Sequence, residues 1–219
     1  MLIRVKGNEN ESRLSRRNFA IGALATGLIL PSGAKALQGR PLTAESAMGP
    51  FYPLTKPADS DADMVWLKGH SQKASGQVIE VSGRILDVKG NPIPNALVEI
   101  WQANAVGRYD HPSDPAIAPL DPHFQSFAEL RSDASGAWRI TTVKPGGYDS
   151  PIGHRPPHIH FDIRGRTHRN IAQLYFPEDA AGNVKDVLYK ALGAEAATSV
   201  AVRDASDPHK YQWDIILMG

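Results

Sequence analysis

The 219-residue chain has no cysteine. That removes a disulfide framework, thiolate-held zinc, iron–sulfur clusters, blue copper and a cysteine nucleophile, so any metal must be held by nitrogen and oxygen. Charge of one sign is also missing: 24 Lys and Arg stand against 23 Asp and Glu, a formal net charge of +1. No basic field of the kind that gathers nucleic acid is present. The longest apolar run, Ala20 to Leu30, is about half the ~20 residues of a membrane span and is rich in Gly and Ala, which argues against a stable anchor. What the chain does have is 19 Gly and 17 Pro spread along its length. Frequent turns of that kind suit an all-β protein better than a helical bundle.

The front reads as an address. Ser15-Arg16-Arg17-Asn18-Phe19 precedes the apolar run, and Ala34-Lys35-Ala36 follows it. A basic segment, a short apolar segment and an A-x-A end are the marks of an export signal, and the paired arginines point to the twin-arginine route. Residues 1–36 are therefore expected to be a signal cleaved after Ala36, with the remainder periplasmic or extracellular. Residues 37–75 show no period and are expected to form an irregular arm across the main domain. Phe51 and Trp66 argue against a flexible spacer.

Residues 76–219 carry the β pattern. Strands are expected over 78–88 (with a possible bulge at Gly83), 96–102, 127–131, 137–143, 158–163, 170–176, 199–203 and 211–218. The one short helix is expected over 184–191. Two long loops, 103–125 and 144–157, interrupt them, and loops of that length in a compact domain are usually functional. Seven or more short strands between turn signals predict a Greek-key-like β-sandwich with long active-site loops.

The chemistry concentrates in Arg155-Pro156-Pro157-His158-Ile159-His160-Phe161-Asp162-Ile163. The prolines oppose a helix and favour an extended entry. On a strand, His158 and His160 project to one face, near enough to share a metal ion, while Ile159, Phe161 and Ile163 face a core. Each long loop adds a tyrosine, Tyr109 in Gly107-Arg108-Tyr109-Asp110-His111 and Tyr148 in Pro145-Gly146-Gly147-Tyr148-Asp149. A phenol with a free pKa of about 10 needs a strongly acidic cation to ionise it. Two phenolates and two neutral imidazoles make a hard, anionic set suited to ferric iron, unlike the two-histidine, one-carboxylate triad that holds ferrous iron. Asp110 and Asp149 read as turn residues. The other histidines read as solvated, with His111 and His154 as candidates for a pocket rim.

Gly-Arg-Tyr, Lys-Pro-Gly-x-Tyr and Arg-Pro-x-His-Ile-His-Phe, in this order, resemble the intradiol ring-cleaving dioxygenases, most closely the protocatechuate 3,4-dioxygenase type. Gly49-Pro50-Phe51-Tyr52-Pro53, Val81-Ser82-Gly83-Arg84 and Asp121-Pro122-His123-Phe124 are similar to family segments too. The resemblance implies Fe(III) held by Tyr109, Tyr148, His158 and His160, and no other cofactor. Tyr148 corresponds to the axial tyrosine that leaves the metal when substrate chelates. Arg155 and Gln173 correspond to the family's active-site arginine and glutamine. The implied substrates are a catechol and O2, the product a muconate-type diacid, and the implied assembly a homo-oligomer. Ser150 stands where the family often has an aromatic residue, which leaves the substrate class open. Arg108 and Arg131 are the candidate partners for a carboxylated ring. Val81 to Trp101 is also similar to transthyretin-like β-sandwich modules, which bind partners and do no chemistry. A histidine-based zinc or copper hydrolase would want a carboxylate at ligand spacing, and none is evident.

Overall fold

Alternation along the strands sorts the chain into two layers. The computed structural model describes residues 39–218; the segment read as an export signal lies outside the described residues. In chain order the strands are β1 Val78–Asp87, β2 Leu97–Trp101, β3 Phe127–Arg131, β4 Ala137–Val143, β5 Tyr148–Ser150, β6 Gly153–Arg155, β7 His158–Arg164, β8 Arg169–Tyr175, β9 Val202–Arg203, β10 Lys210–Gln212 and β11 Ile215–Leu217. One sheet has the order β3-β2-β7-β8. The other is five-stranded and centred on β1, with β4 antiparallel on one edge and β10 and β11 parallel on the other. The chain passes repeatedly from one sheet to the other, as the turn pattern implied, and the fold is an all-β sandwich.

The core fills the space between the layers. Ile159, Phe161 and Ile163 of β7 are fully buried there, beside Val98 and Ile100 of β2. Phe161 meets Trp138 and Trp213 edge-on at ring distances of 5.3 and 4.9 Å. Each such side chain contributes about 1.5–3 kcal/mol by leaving water.

Three expectations change. Gly83 is not a bulge, because the register with β4 runs unbroken from Val78↔Val143 to Arg84↔Ala137. A Cβ at Gly83 would instead overlap the Trp213 carbonyl oxygen. Trp213 and Asp214 separate what the sequence suggested was one closing strand into β10, beside Glu80–Ser82, and β11, beside Ile85–Asp87. Of the helix expected over 184–191 only α2, Val187–Ala191, forms; a helix the sequence did not suggest, α1 Ala180–Asn183, precedes it, and 3-10 turns at Pro177–Asp179 and Gly193–Ser199 flank the pair. The break falls at Asp186, whose extended backbone and side-chain bond to the Leu188 N–H make it an N-cap.

The outer face of the β3-β2-β7-β8 sheet carries the polar residues. Directly paired strand residues share a face, so Phe127, Trp101, His160 and Gln173 form one row across it, with His158 beside Tyr175. The next row is Glu129, Glu99, Asp162 and Ile171. Its carboxylates are matched by cations: Lys56 bridges Glu99 and Glu129, Arg164 reaches Glu99 and Asp162, and Arg169 bonds Asp162 through two nitrogens at 2.8 Å.

Residues 39–75 contain no extended strand or helix; residues 46–56 lie across this face, whereas Thr43 bonds Ile216 of β11 and residues 60–64 bond β3 and β4. Ser46 N–H donates to the Ile171 carbonyl of β8, and Tyr52 donates its hydroxyl proton to Glu99. Phe51 is buried as the sequence suggested. Trp66 is 42% exposed, and the neighbouring Met64 and Val65 enter the core in its place.

Candidate metal centre

His158 and His160 lie side by side on β7, turned away from the sandwich core, and both are buried. His158 Nδ1 sits 2.6 Å from the Pro156 carbonyl. A carbonyl only accepts, so Nδ1 carries the proton and Nε2 presents its lone pair. His160 Nε2 lies 3.2 Å from that nitrogen. Trp101 stacks on the His160 ring at 5.0 Å with an 11° interplanar angle. From the arm, Gly49 comes so close that a Cβ would stand 3.3 Å from His160 Cε1, and its φ of +75° also favours glycine. Burial, reinforced by the Arg155 charge, lowers the His158 pKa to about 3. Burial, then His158 and Arg155, lowers that of His160 still more firmly below the ordinary value. Both rings are held neutral, as ligation requires.

The two tyrosine loops are built against each other. Asn104 Oδ1 accepts from the Val106 and Arg108 N–H groups and shapes the first. Its carbonyl accepts from Gly146 N–H of the second. Gly107, at φ +80°, lies so tightly against the Gly147 carbonyl that no side chain fits. Asp114 fixes the Tyr109 backbone by accepting its N–H at 2.7 Å. Tyr109 Oη thereby comes within 3.5 Å of His158 Nε2. Phe51 stacks on the Tyr109 ring at 4.6 Å. Tyr148 opens β5, opposite Arg155 of β6, and its ring meets Tyr109 edge-on at 5.4 Å. Tyr109 is 2% exposed whereas Tyr148 is only half-buried. Burial, then the neighbouring Tyr148, pushes the Tyr109 phenol well up. Burial also raises Tyr148, although Arg155 opposes it.

These donors fit a trivalent metal. The His158 tautomer directs a lone pair at the space that Tyr109 Oη and His160 Nε2 also border. Phenols this buried ionise only beside a strong cation, and two phenolates would neutralise most of a ferric charge. Among the described residues, no group of three or more His, Cys, Asp or Glu is placed to hold a metal. That leaves the carboxylate-dependent ferrous and hydrolytic zinc arrangements without a ligand set there.

Arg155 is buried beside this cluster. Its Nη2 donates to Gln173 Oε1 at 2.6 Å and to Tyr175 Oη at 3.3 Å. Its Nε lies 2.9 Å from Asp186 Oδ1, off the line of the N–H bond, as an ion pair rather than a formed hydrogen bond. Burial opposes its charge, but Tyr175, Tyr148 and Asp186 raise its pKa overall. Gln173 Nε2 donates to the arm at Ala47 O, 3.0 Å away.

Other candidates stand apart. Arg131 lies at the opposite end of β3 from Phe127 and bonds the Asn95 carbonyl. Arg108 is near the centre but is paired with Asp114 at 3.8 Å. His154 pairs with the exposed Asp149, and Ser150 Oγ closes the β5–β6 hairpin on Gly153 O. His111 is buried 5.8 Å from the Phe51 ring. Asp186, Tyr175, Trp101 and Gly49 were not singled out from sequence as site residues. Only Asp186 left a local signal, as a helix-capping residue in Lys185-Asp186-Val187-Leu188.

Residues 47–219 match the family model described as Dioxygenase. The protocatechuate 3,4-dioxygenase beta chain of Burkholderia cepacia is 39% identical over 155 residues, covering 66% of each chain. Catechol 1,2-dioxygenase 2 of Acinetobacter lwoffii is 32% identical over 57% of this chain and 46% of its own. The chain thus spans 66% or less of the length of these curated relatives. The solved intradiol ring-cleavage dioxygenase from Tetranychus urticae superposes with a TM-score of 0.63 over 82% of this chain and 95% of its own, at 21% identity, and shares the fold. With a family model matching residues 47–219, most of the arm and the whole sandwich, the chain belongs to the intradiol dioxygenase family.

Proposed function

We propose that this chain is a non-haem Fe(III) dioxygenase that cleaves a catechol-type ring between its hydroxyl-bearing carbons and places both atoms of O2 in a muconate-type diacid. The observation that carries the reading is the convergence of Tyr109 Oη and His160 Nε2 on His158 Nε2, at 3.5 and 3.2 Å, with Tyr148 against the Tyr109 ring. Bound at Tyr109, Tyr148, His158 and His160, ferric iron would supply Lewis acidity and the electron sharing that opens a catecholate to dioxygen.

The chain's own residues divide the remaining work. Tyr109, His158 and His160 are buried in packed surroundings and hold position. Tyr148 is half-buried on a three-residue strand, so it is the tyrosine with room to swing and, once ionised beside the cation, its phenolate Oη would accept a catechol proton. Arg155, fixed by Gln173, offers positive charge to an anionic ring. Phe51 and Trp101 keep water from the centre. The names of the relatives, a protocatechuate and a catechol dioxygenase, support a substrate of that chemical class. Export of the folded protein by the twin-arginine route, with a homo-oligomer as the working form, completes the reading.

The test is product analysis under oxygen-18 gas. Iron-loaded protein given catechol should yield a diacid with label in both carboxyl groups. An aldehyde-acid from cleavage beside the diol, or no cleavage across a panel of catechols, would refute it.

A further inference from the structure

We propose that Asp186 is the positioning residue that aims Arg155 at the bound ring, acting through the arginine without touching substrate; the inference rests on the dioxygenase reading above. Arg155 reaches the centre from the two-stranded hairpin β5–β6, whose other residues are half-buried or exposed. That hairpin cannot by itself hold a long side chain in one rotamer. The guanidinium is instead gripped at both ends. Gln173 Oε1 accepts from Nη2 at 2.6 Å, and Gln173 is itself fixed because its amide nitrogen is committed to Ala47 O. At the other end, Nε stands 2.9 Å from Asp186 Oδ1.

Tyr175 joins the two grips. Its oxygen accepts from Arg155 Nη2 at 3.3 Å and, with a single proton to donate, lies 2.8 Å from Asp186 Oδ2 and 3.0 Å from Gln173 Oε1. A charged acceptor at the shorter distance takes that proton. Asp186 therefore acts on Arg155 both directly and through Tyr175. The carboxylate is 1% exposed. Its own place is set by the N-cap bond from Leu188 N–H, so the start of α2, outside the sandwich, delivers a charge to the site. A buried arginine without its carboxylate would rearrange toward solvent or another partner, and misplacement of a catalytic group by about 1 Å can cost on the order of 10²-fold in rate.

Asp186→Asn keeps the shape and removes the charge. In the iron-loaded full chain we expect a fall in kcat/KM of about 10²-fold, mainly in kcat. Arg155→Lys and the double variant Arg155→Lys/Asp186→Asn should be equal, since nothing remains for Asp186 to aim. Independent, multiplying losses would overturn the inference, as would an Asp186→Asn enzyme with unchanged kcat/KM. A second readout needs no turnover. In the metal-free protein, the Nε–Hε resonance missing from Arg155→Lys should be sharp and resolved, and should merge with the exposed arginines in Asp186→Asn. A resonance unmoved by that change overturns the inference even if activity falls. Should Asp186→Asn not fold, Tyr175→Phe removes the second link alone and must likewise be silent in the Arg155→Lys background. If the wild-type chain cleaves no catechol, the dioxygenase reading fails, and the resonance still decides whether Asp186 holds Arg155.

Discussion

Replacing Gly49 with alanine tests whether the arm shapes the metal centre. Gly49 sits at φ +75°, and its Cβ would stand 3.3 Å from His160 Cε1. The left-handed backbone alone costs an L-residue about 1–2 kcal/mol. Gly69 provides the control, at φ +82° with nothing within 4 Å of an added Cβ. Gly69→Ala therefore reports backbone strain, and the excess of Gly49→Ala over it reports pressure on His160. For a chain of this size, 1 kcal/mol shifts Tm by about 2–4 °C, so strain alone should lower Tm by roughly 2–8 °C in both variants. Gly49→Ala should fall further and also bind iron more weakly, because His160 must move by a few tenths of an ångström or the arm must lift. The assay is thermal unfolding of the metal-free protein with an iron titration alongside. Equal Tm values and equal iron affinities for the two variants would refute the reasoning.

Tyr148→Phe should slow substrate deprotonation and alter the visible spectrum while leaving the fold intact, whereas Tyr109→Phe, in the buried position, should also reduce iron retention; stopped-flow absorbance and metal analysis separate the two. Acid should destabilise the metal-free protein. The His158 imidazole has a folded pKa of about 3 against about 6.5 unfolded, so between these values only the unfolded chain takes the proton. Stability is then full above pH 6.5 and is lost as pH falls toward 3, with about 2 kcal/mol of that loss between pH 7 and 5 from this group. Urea unfolding at the two pH values checks it, and a flat response would contradict the burial argument. Glu99→Ala should cost about 2 kcal/mol, less than the 3–5 of a fully buried pair because Lys56 and Arg164 reach solvent. It should also loosen the arm, and thermal unfolding with limited proteolysis near Lys56 reads both.

What was legible in the sequence had a local period or a fixed order. His158 and His160 declare themselves because i and i+2 on a strand share a face, and Pro156-Pro157 rules out the helical alternative. Tyr109 and Tyr148 stood out as tyrosines in long, turn-rich loops, and β3 and β4 were bounded as found. What was hidden depends on tertiary approach. Gly49 looks like any turn glycine until His160 is placed beside it. Trp101 reads as a core residue of β2 until the register with β7 sets it on His160. Asp186 sits inside an apolar period that suggested one helix from Val184, and its capping geometry moves the start of that helix to Val187. The closing strand was read as one because nothing local in Tyr211 to Met218 marks the point where Gly83 lets Trp213 approach β1.

The measurement that tests the central claim most directly is the visible absorption spectrum of the iron-loaded protein before and after anaerobic addition of catechol. Phenolates of the buried Tyr109 and the half-buried Tyr148 on ferric iron would give a coloured protein whose tyrosinate-to-iron band shifts when catechol takes the place of Tyr148. A protein that binds one iron per chain and stays colourless would show that Tyr109 and Tyr148 are not ligands, and would contradict the account.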